Sequence, residues 1–251
     1  MTSLLVAAGA LGAAVGSFLN VVAWRLPRGE SVVRPRSRCP RCEAPIRAWH
    51  NVPVLAWLAL RGRCADCREP IPVRYPLVEA TTAALYVAVV AVTHADRRAF
   101  AGLLLVTILV PITLIDLDHR RIPNVITGPA ALAAVALTAL LQPHHLGENL
   151  LAGAIASGAF LAVALIRPGG MGIGDVKLAG VLGLFLGRAV APAMFVALAS
   201  GSVAGGMIAA RRGVGAARKA KVPFGPFLAL GGVVGLLAGG HLVDIYLSTF
   251  V

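Results

Sequence analysis

Long apolar runs divide this sequence, and they limit its fold more than any other feature. A helix rises about 1.5 Å per residue, so roughly 20 mostly apolar residues are needed to cross the hydrocarbon core of a bilayer. Eight such runs can be drawn, at about 3–23, 77–94, 99–117, 124–141, 149–167, 177–187, 190–210 and 224–247. The sixth is short, and Gly183, Gly187 and Pro192 leave open a single broken helix over 177–210. The period-two alternation of an outer-membrane barrel is missing. Charged residues make up only 14% of the 251-residue chain, against about 25% in soluble domains. The first run has no basic stretch ahead of it and is followed by Arg25 and Arg28, so it reads as a retained helix. These features predict an all-α fold, a polytopic helical membrane bundle of about eight transmembrane helices.

The charges test this layout. The net charge is +12, a number that invites a nucleic-acid reading. Its distribution argues otherwise. Loop 24–76 holds eleven arginines, loop 118–123 holds Arg120 and Arg121, the next loop on the same side is flanked by Arg167 and Lys177, and loop 211–223 holds Arg211, Arg212, Arg218, Lys219 and Lys221. Only Arg97, Arg98 and Arg188 fall on the other side. Basic residues are retained in the cytoplasm. The N-terminus is therefore expected outside and the four basic loops inside, in contact with anionic lipid and not with nucleic acid. Fusing the sixth and seventh runs would put the last basic loop on the wrong side.

All four cysteines lie in the first basic loop, as Cys39-Pro-Arg-Cys42 and Cys64-Ala-Asp-Cys67. Cys39-x-x-Cys42-x-x-Pro45-Ile46 repeats as Cys64-x-x-Cys67-x-x-Pro70-Ile71, 25 residues later. Two short turns that each offer a thiolate pair can close a tetrahedron around zinc. A four-thiolate site has no open position for water, so its role is a structural clip on a cytoplasmic loop too rich in Arg and Pro to build a core. Free thiols or a redox pair are the alternative.

Asp116 and Asp118 stand at the cytoplasmic end of the third run, and Asp175 in Gly172-Ile173-Gly174-Asp175, just ahead of the sixth. Carboxylates at membrane level are functional candidates by default. A close pair shares one proton, so one member serves as base and the other as acid in hydrolysis of a peptide bond. An ion or proton transporter would use the same residues, and a non-enzymatic assembly scaffold would need neither. Asp118 also reads as a solvated helix end and Asp175 as a helix cap. Glu79 is a candidate partner for a loop arginine, and Lys177 could steer Asp175 or anchor the membrane interface.

The segments in order resemble the type IV prepilin peptidase family, the leader peptidase/N-methyltransferases. They are Gly16-Ser17-Phe18-Leu19-Asn20, Arg25-Leu26-Pro27-Arg28, the double Cys-x-x-Cys loop around Asn51-Val52-Pro53, Arg74-Tyr75-Pro76-Leu77-Val78-Glu79, the Asp116 segment, Gly172-x-Gly174-Asp175 and Pro223-Phe224-Gly225-Pro226-Phe227. The resemblance implies an aspartic protease at the cytoplasmic face of the bacterial inner membrane. It cuts the basic leader of prepilins and pseudopilins after a glycine, and members with the cysteine loop commonly methylate the new N-terminus from S-adenosylmethionine. The first catalytic acid of the family stands six residues before an Ile/Leu-Pro-Asp/Asn element, which makes it Asp116, and the second is Asp175; Asp118 is held in reserve. Residues 1–23 are then the first transmembrane helix, 24–76 the zinc loop with Cys39, Cys42, Cys64 and Cys67 as ligands, and 77–251 the peptidase core. His50 and Asn124 depart from the Asp that many members carry, and no glycine fingerprint backs methyl transfer. A presenilin-type protease would need no cysteine loop.

Overall fold

A computed structural model describes residues 1–167, 170–213, 215 and 222–250. Gly169 of the glycine run, and Arg218, Lys219 and Lys221 of the last basic loop, lie outside the described residues. The chain is helical with no strand among the described residues, and it forms two compact units, Met1–Ala99 and Phe100–Val251.

In the first unit, α1 (Thr2–Arg25) and α3 (Arg74–Thr93) flank a loop that carries the short α2 (Leu55–Ala59). Small residues bring α1 and α3 into near-backbone contact. A Cβ added at Gly12 would lie 2.8 Å from the Ala83 backbone, and one at Gly16 would lie 2.9 Å from that of Glu79. Residue numbers rise along one helix as they fall along the other, so the pair is antiparallel. With no water to expel between them, membrane helices depend on such close approach.

The second unit holds α4 (Arg97–His119), whose body begins at Phe100, with α5 (Asn124–Leu141), α6 (Leu146–Ile166), α7 (Ile173–Leu186), α8 (Val190–Arg212) and α9 (Gly225–Phe250). Its core runs from Leu105, Leu109 and Ile112 of α4 to Leu178 and Leu182 of α7 and Leu228 of α9, all 2% exposed or less. α7 is central. It is 14 residues and so about 21 Å long, less than the hydrocarbon thickness, and most of its surface meets other helices rather than lipid.

Among the described residues seven stretches are long and apolar enough to cross a membrane, and one of them, Ile173–Arg212, spans 40 residues. It is two helices. The chain breaks at a 3-10 turn over Gly187–Ala189, where Gly187 has φ +55°, a conformation that favours glycine. The Arg188 guanidinium pairs there with Asp244, toward the end of α9, at 3.2 Å. From that end α8 runs back antiparallel to α9, since Ala189 meets Gly239 and Ala193 meets Gly235 and Gly231. Among the described residues α1 and α3 to α9 are therefore eight long helices, as many as the apolar runs predicted, and a single broken helix over 177–210 is replaced by two.

Three helix starts come earlier than hydropathy implies: α3 at Arg74 rather than 77, α6 at Leu146 rather than 149, and α7 at Ile173 rather than 177. First turns tolerate polar residues and proline because their N–H groups have no intrahelical partner. The last shift matters, because it places Asp175 inside α7 instead of ahead of it.

Candidate active site and metal centre

Asp116 lies on the buried face of α4. Ile112, Ile115 and Asp116 fall at helical i, i+3 and i+4 spacing, and Asp116 is only 5% exposed. Asp118, two residues on, is turned about 200° around the axis and is exposed. That rotation separates the two acids. The N–H of Gly225, the first residue of α9, donates to Asp116 Oδ2 at 2.8 Å. A helix N-terminus thus presents its positive end to the carboxylate. The approach needs glycine: a Cβ at position 225 would sit 2.7 Å from that oxygen.

Asp175 occupies the third position of α7, half-buried, and its Oδ2 accepts the N–H of Gly172 at 3.2 Å. This is half of a capping box, as Gly172 has no side chain to return the bond. Asp175 is thus not the N-cap read from the sequence, a position held by Gly172; from inside the first turn its carboxylate reaches back to the Gly172 N–H, which holds it in place. The Asp175 carboxylate lies within electrostatic reach of Asp116. Two contacts dock the start of α7 onto the segment that follows Asp116. Gly174 packs on Ile122, where an added Cβ would be 2.9 Å from the Ile122 Cβ. Lys177 Nζ donates to Asn124 Oδ1 at 2.9 Å, so Lys177 ties α7 to α5 rather than steering Asp175.

In the first unit the four cysteines converge. Their sulfurs lie within 4.8 Å of one another, Cys39 and Cys67 at 3.7 Å, and none is in a disulfide. A tetrahedron with metal–sulfur bonds of about 2.3 Å has edges of about 3.8 Å. The donor set and its spacing therefore fit one metal ion. The sequence repeat is also a structural one, residue for residue. Arg38 bridges Pro45 and Arg63 bridges Pro70; Cys39 N–H donates to Ala44 O and Cys64 N–H to Glu69 O; Glu43 and Arg68 take φ of +56° and +63°. Each turn aims backbone N–H groups at sulfur. The N–H groups of Cys42 and Arg41 draw the Cys39 thiol down to about 7. At Cys67 the Glu69 N–H pulls the same way, but burial and the sulfurs of Cys42, Cys64 and Cys39 outweigh it and push that thiol up to about 12. A metal ion binding this cluster would displace the thiol protons that remain.

The sequence pattern described as the bacterial peptidase A24 N-terminal domain matches residues 10–93, and that of the type IV leader peptidase family matches 103–210, which contain both aspartates. A prepilin leader peptidase/N-methyltransferase of Aeromonas hydrophila is 36% identical over 268 residues, covering 94% of this chain and 91% of that protein. The chain belongs to the type IV leader peptidase family. A protein of the same name from Pseudomonas aeruginosa is 35% identical, covering 95% of this chain and 91% of its own. One from Myxococcus xanthus is 50% identical over 127 residues, which is 51% of this chain and 38% of that protein. No solved structure matches.

Several roles around these sites were not legible beforehand. Gly225 entered the sequence reading only as part of a family segment; its contact with Asp116 spans 109 residues of chain. Nor did the sequence reading of Glu79 include a backbone partner: its buried Oε2 accepts the Val54 N–H at 2.7 Å, at a residue with φ +61°.

Proposed function

We propose that this chain is a membrane aspartic endopeptidase that removes the leader of prepilins and pseudopilins, with Asp116 and Asp175 as its catalytic pair. The observation that carries this reading is the pairing itself: buried Asp116, held by the N-terminus of α9, within electrostatic reach of Asp175, held by the N-terminus of α7. Two such carboxylates share a proton. The ionised one takes a proton from water, whose oxygen attacks the scissile carbonyl. The protonated one hydrogen-bonds that carbonyl and then protonates the leaving amine. Backbone N–H donors fix each carboxylate through Oδ2, so orientation does not depend on flexible side chains.

The loop 24–76 is the metal clip in this reading, with zinc as the ion and Cys39, Cys42, Cys64 and Cys67 as its ligands, and the peptidase core follows from 77. The relatives' names support a second activity, N-methylation of the new N-terminus with S-adenosylmethionine. The bias of basic loops supports the bacterial inner membrane, with the aspartate end in the cytoplasm. The test is cleavage of a co-expressed prepilin by Asp116→Asn, Asp175→Asn and Asp118→Asn at matched membrane levels. Loss in the first two and retention in the third is expected. Normal processing by both of the first two would overturn the mechanism and favour a scaffold or a transporter.

A further inference from the structure

Part of the cysteine loop exposes apolar side chains at a depth where the bilayer should be. α3 has 20 residues, so it is about 30 Å long and matches the hydrocarbon core. Arg74 at its start thus stands near one boundary, and Glu79, five residues on, lies about 7.5 Å inside it. The bond from Val54 N–H to Glu79 fixes the start of α2 at the depth of Glu79. From there Leu55 and Leu58 project outward, 65% and 58% exposed, with Leu77 of α3 exposed at a similar level. Leu55 and Leu58 share one face of α2 at i, i+3 spacing. The other face turns inward: Ala56 is buried, and Trp57 Nε1 donates to Ile71 O at 3.0 Å, which ties α2 to the base of the second cysteine turn.

The backbone suits lipid. The N–H groups of residues 54, 55, 56, 58 and 60 all have acceptors within the protein, and Pro53 has no N–H to satisfy. The charge of the surrounding loop suits an anionic surface, with eleven arginines against Glu30, Glu43, Asp66 and Glu69 over 24–76.

We infer that residues 52–58 form a membrane foot: Leu55 and Leu58 enter the acyl–headgroup boundary of the bilayer crossed by α1 and α3, while the arginines meet anionic headgroups. The foot would hold the metal-clipped loop flat on the membrane. The inference rests on α1 and α3 crossing the membrane and not on the peptidase reading.

The test places a tryptophan at the foot. Leu55→Trp and Leu58→Trp are made singly in the full chain carrying Trp24→Phe and Trp49→Phe, with that parent as the Trp57 background. The proteins are reconstituted in vesicles of phosphatidylcholine and phosphatidylglycerol. At an insertion of about 5–10 Å, brominated acyl chains should quench about half of the added emission while acrylamide quenches little. Replacing phosphatidylglycerol with phosphatidylcholine should weaken the lipid quenching. Free quenching by acrylamide with none by brominated lipid would put the foot in water and overturn the inference. Resistance to both quenchers at both positions would mean that protein, such as a second copy, covers it, and would also overturn it.

Discussion

Gly225→Ala tests the proposed active-site geometry with the smallest change available. The added Cβ would lie 2.7 Å from Asp116 Oδ2, 3.0 Å from its Cγ and 3.1 Å from its Cβ. Contacts between such atoms are comfortable at about 3.5 Å, so Asp116 or the start of α9 must give way by several tenths of an ångström. Either movement weakens the N–H bond to Oδ2, and a hydrogen bond to a charged group is worth about 1.5–3 kcal/mol. Misplacing a catalytic group by about 1 Å costs up to about 10²-fold. Alanine is otherwise the better helix former by roughly 0.5–1 kcal/mol, so stability gives no independent reason for loss. Gly240→Ala on the same helix is the control, because an added Cβ there meets nothing within 4 Å. Steady-state cleavage of a prepilin in proteoliposomes should show kcat lowered about 10–100-fold for Gly225→Ala and unchanged for Gly240→Ala. Wild-type kcat in Gly225→Ala would refute the claim that this N–H sets the aspartate.

Gly183→Ala places a Cβ 2.6 Å from the Ala152 carbonyl and the Gly153 backbone, so it should cost about 1–3 kcal/mol of stability in a thermal unfolding series, whereas Gly158→Ala, facing open space, should not. Gly174→Ala meets the Ile122 Cβ at 2.9 Å and should lower cleavage by shifting the start of α7; the paired variant Gly174→Ala with Ile122→Gly, which removes that Cβ, should recover part of it. If the proposed clip holds zinc, Cys39→Ser or a chelator should lower metal content and open loop 24–76 to limited proteolysis; unchanged metal content and protection would contradict the clip. Glu79→Leu orphans the Val54 N–H, and an unmet buried donor costs about 1–3 kcal/mol, so the unfolding temperature should fall.

Much of this protein was legible along the chain because the signals are local. Apolar runs announce the spans, since a bilayer admits few alternatives to helices. The repeat at 25 residues announced two like turns, and the turns share hydrogen bonds and dihedrals at that same offset. Parity of the basic loops required a break between the sixth and seventh spans, and Gly187 supplies it. Even the burial of Asp116 and the exposure of Asp118 were implicit in helical rotation, as Ile112 and Ile115 mark the buried face.

Other features needed the folded chain, because they join residues far apart in sequence. Nothing around position 225 states that its N–H will meet a carboxylate 109 residues earlier, and nothing around Glu79 names Val54 as its partner. Hydropathy could not find the true start of α7, whose first turn is stabilised by a glycine and an aspartate rather than by apolar residues. Local composition sets which segments leave water and which turns carry paired thiols. Only packing decides which backbone donor reaches which buried acid, because a buried polar group takes its partner from whatever element the fold brings beside it.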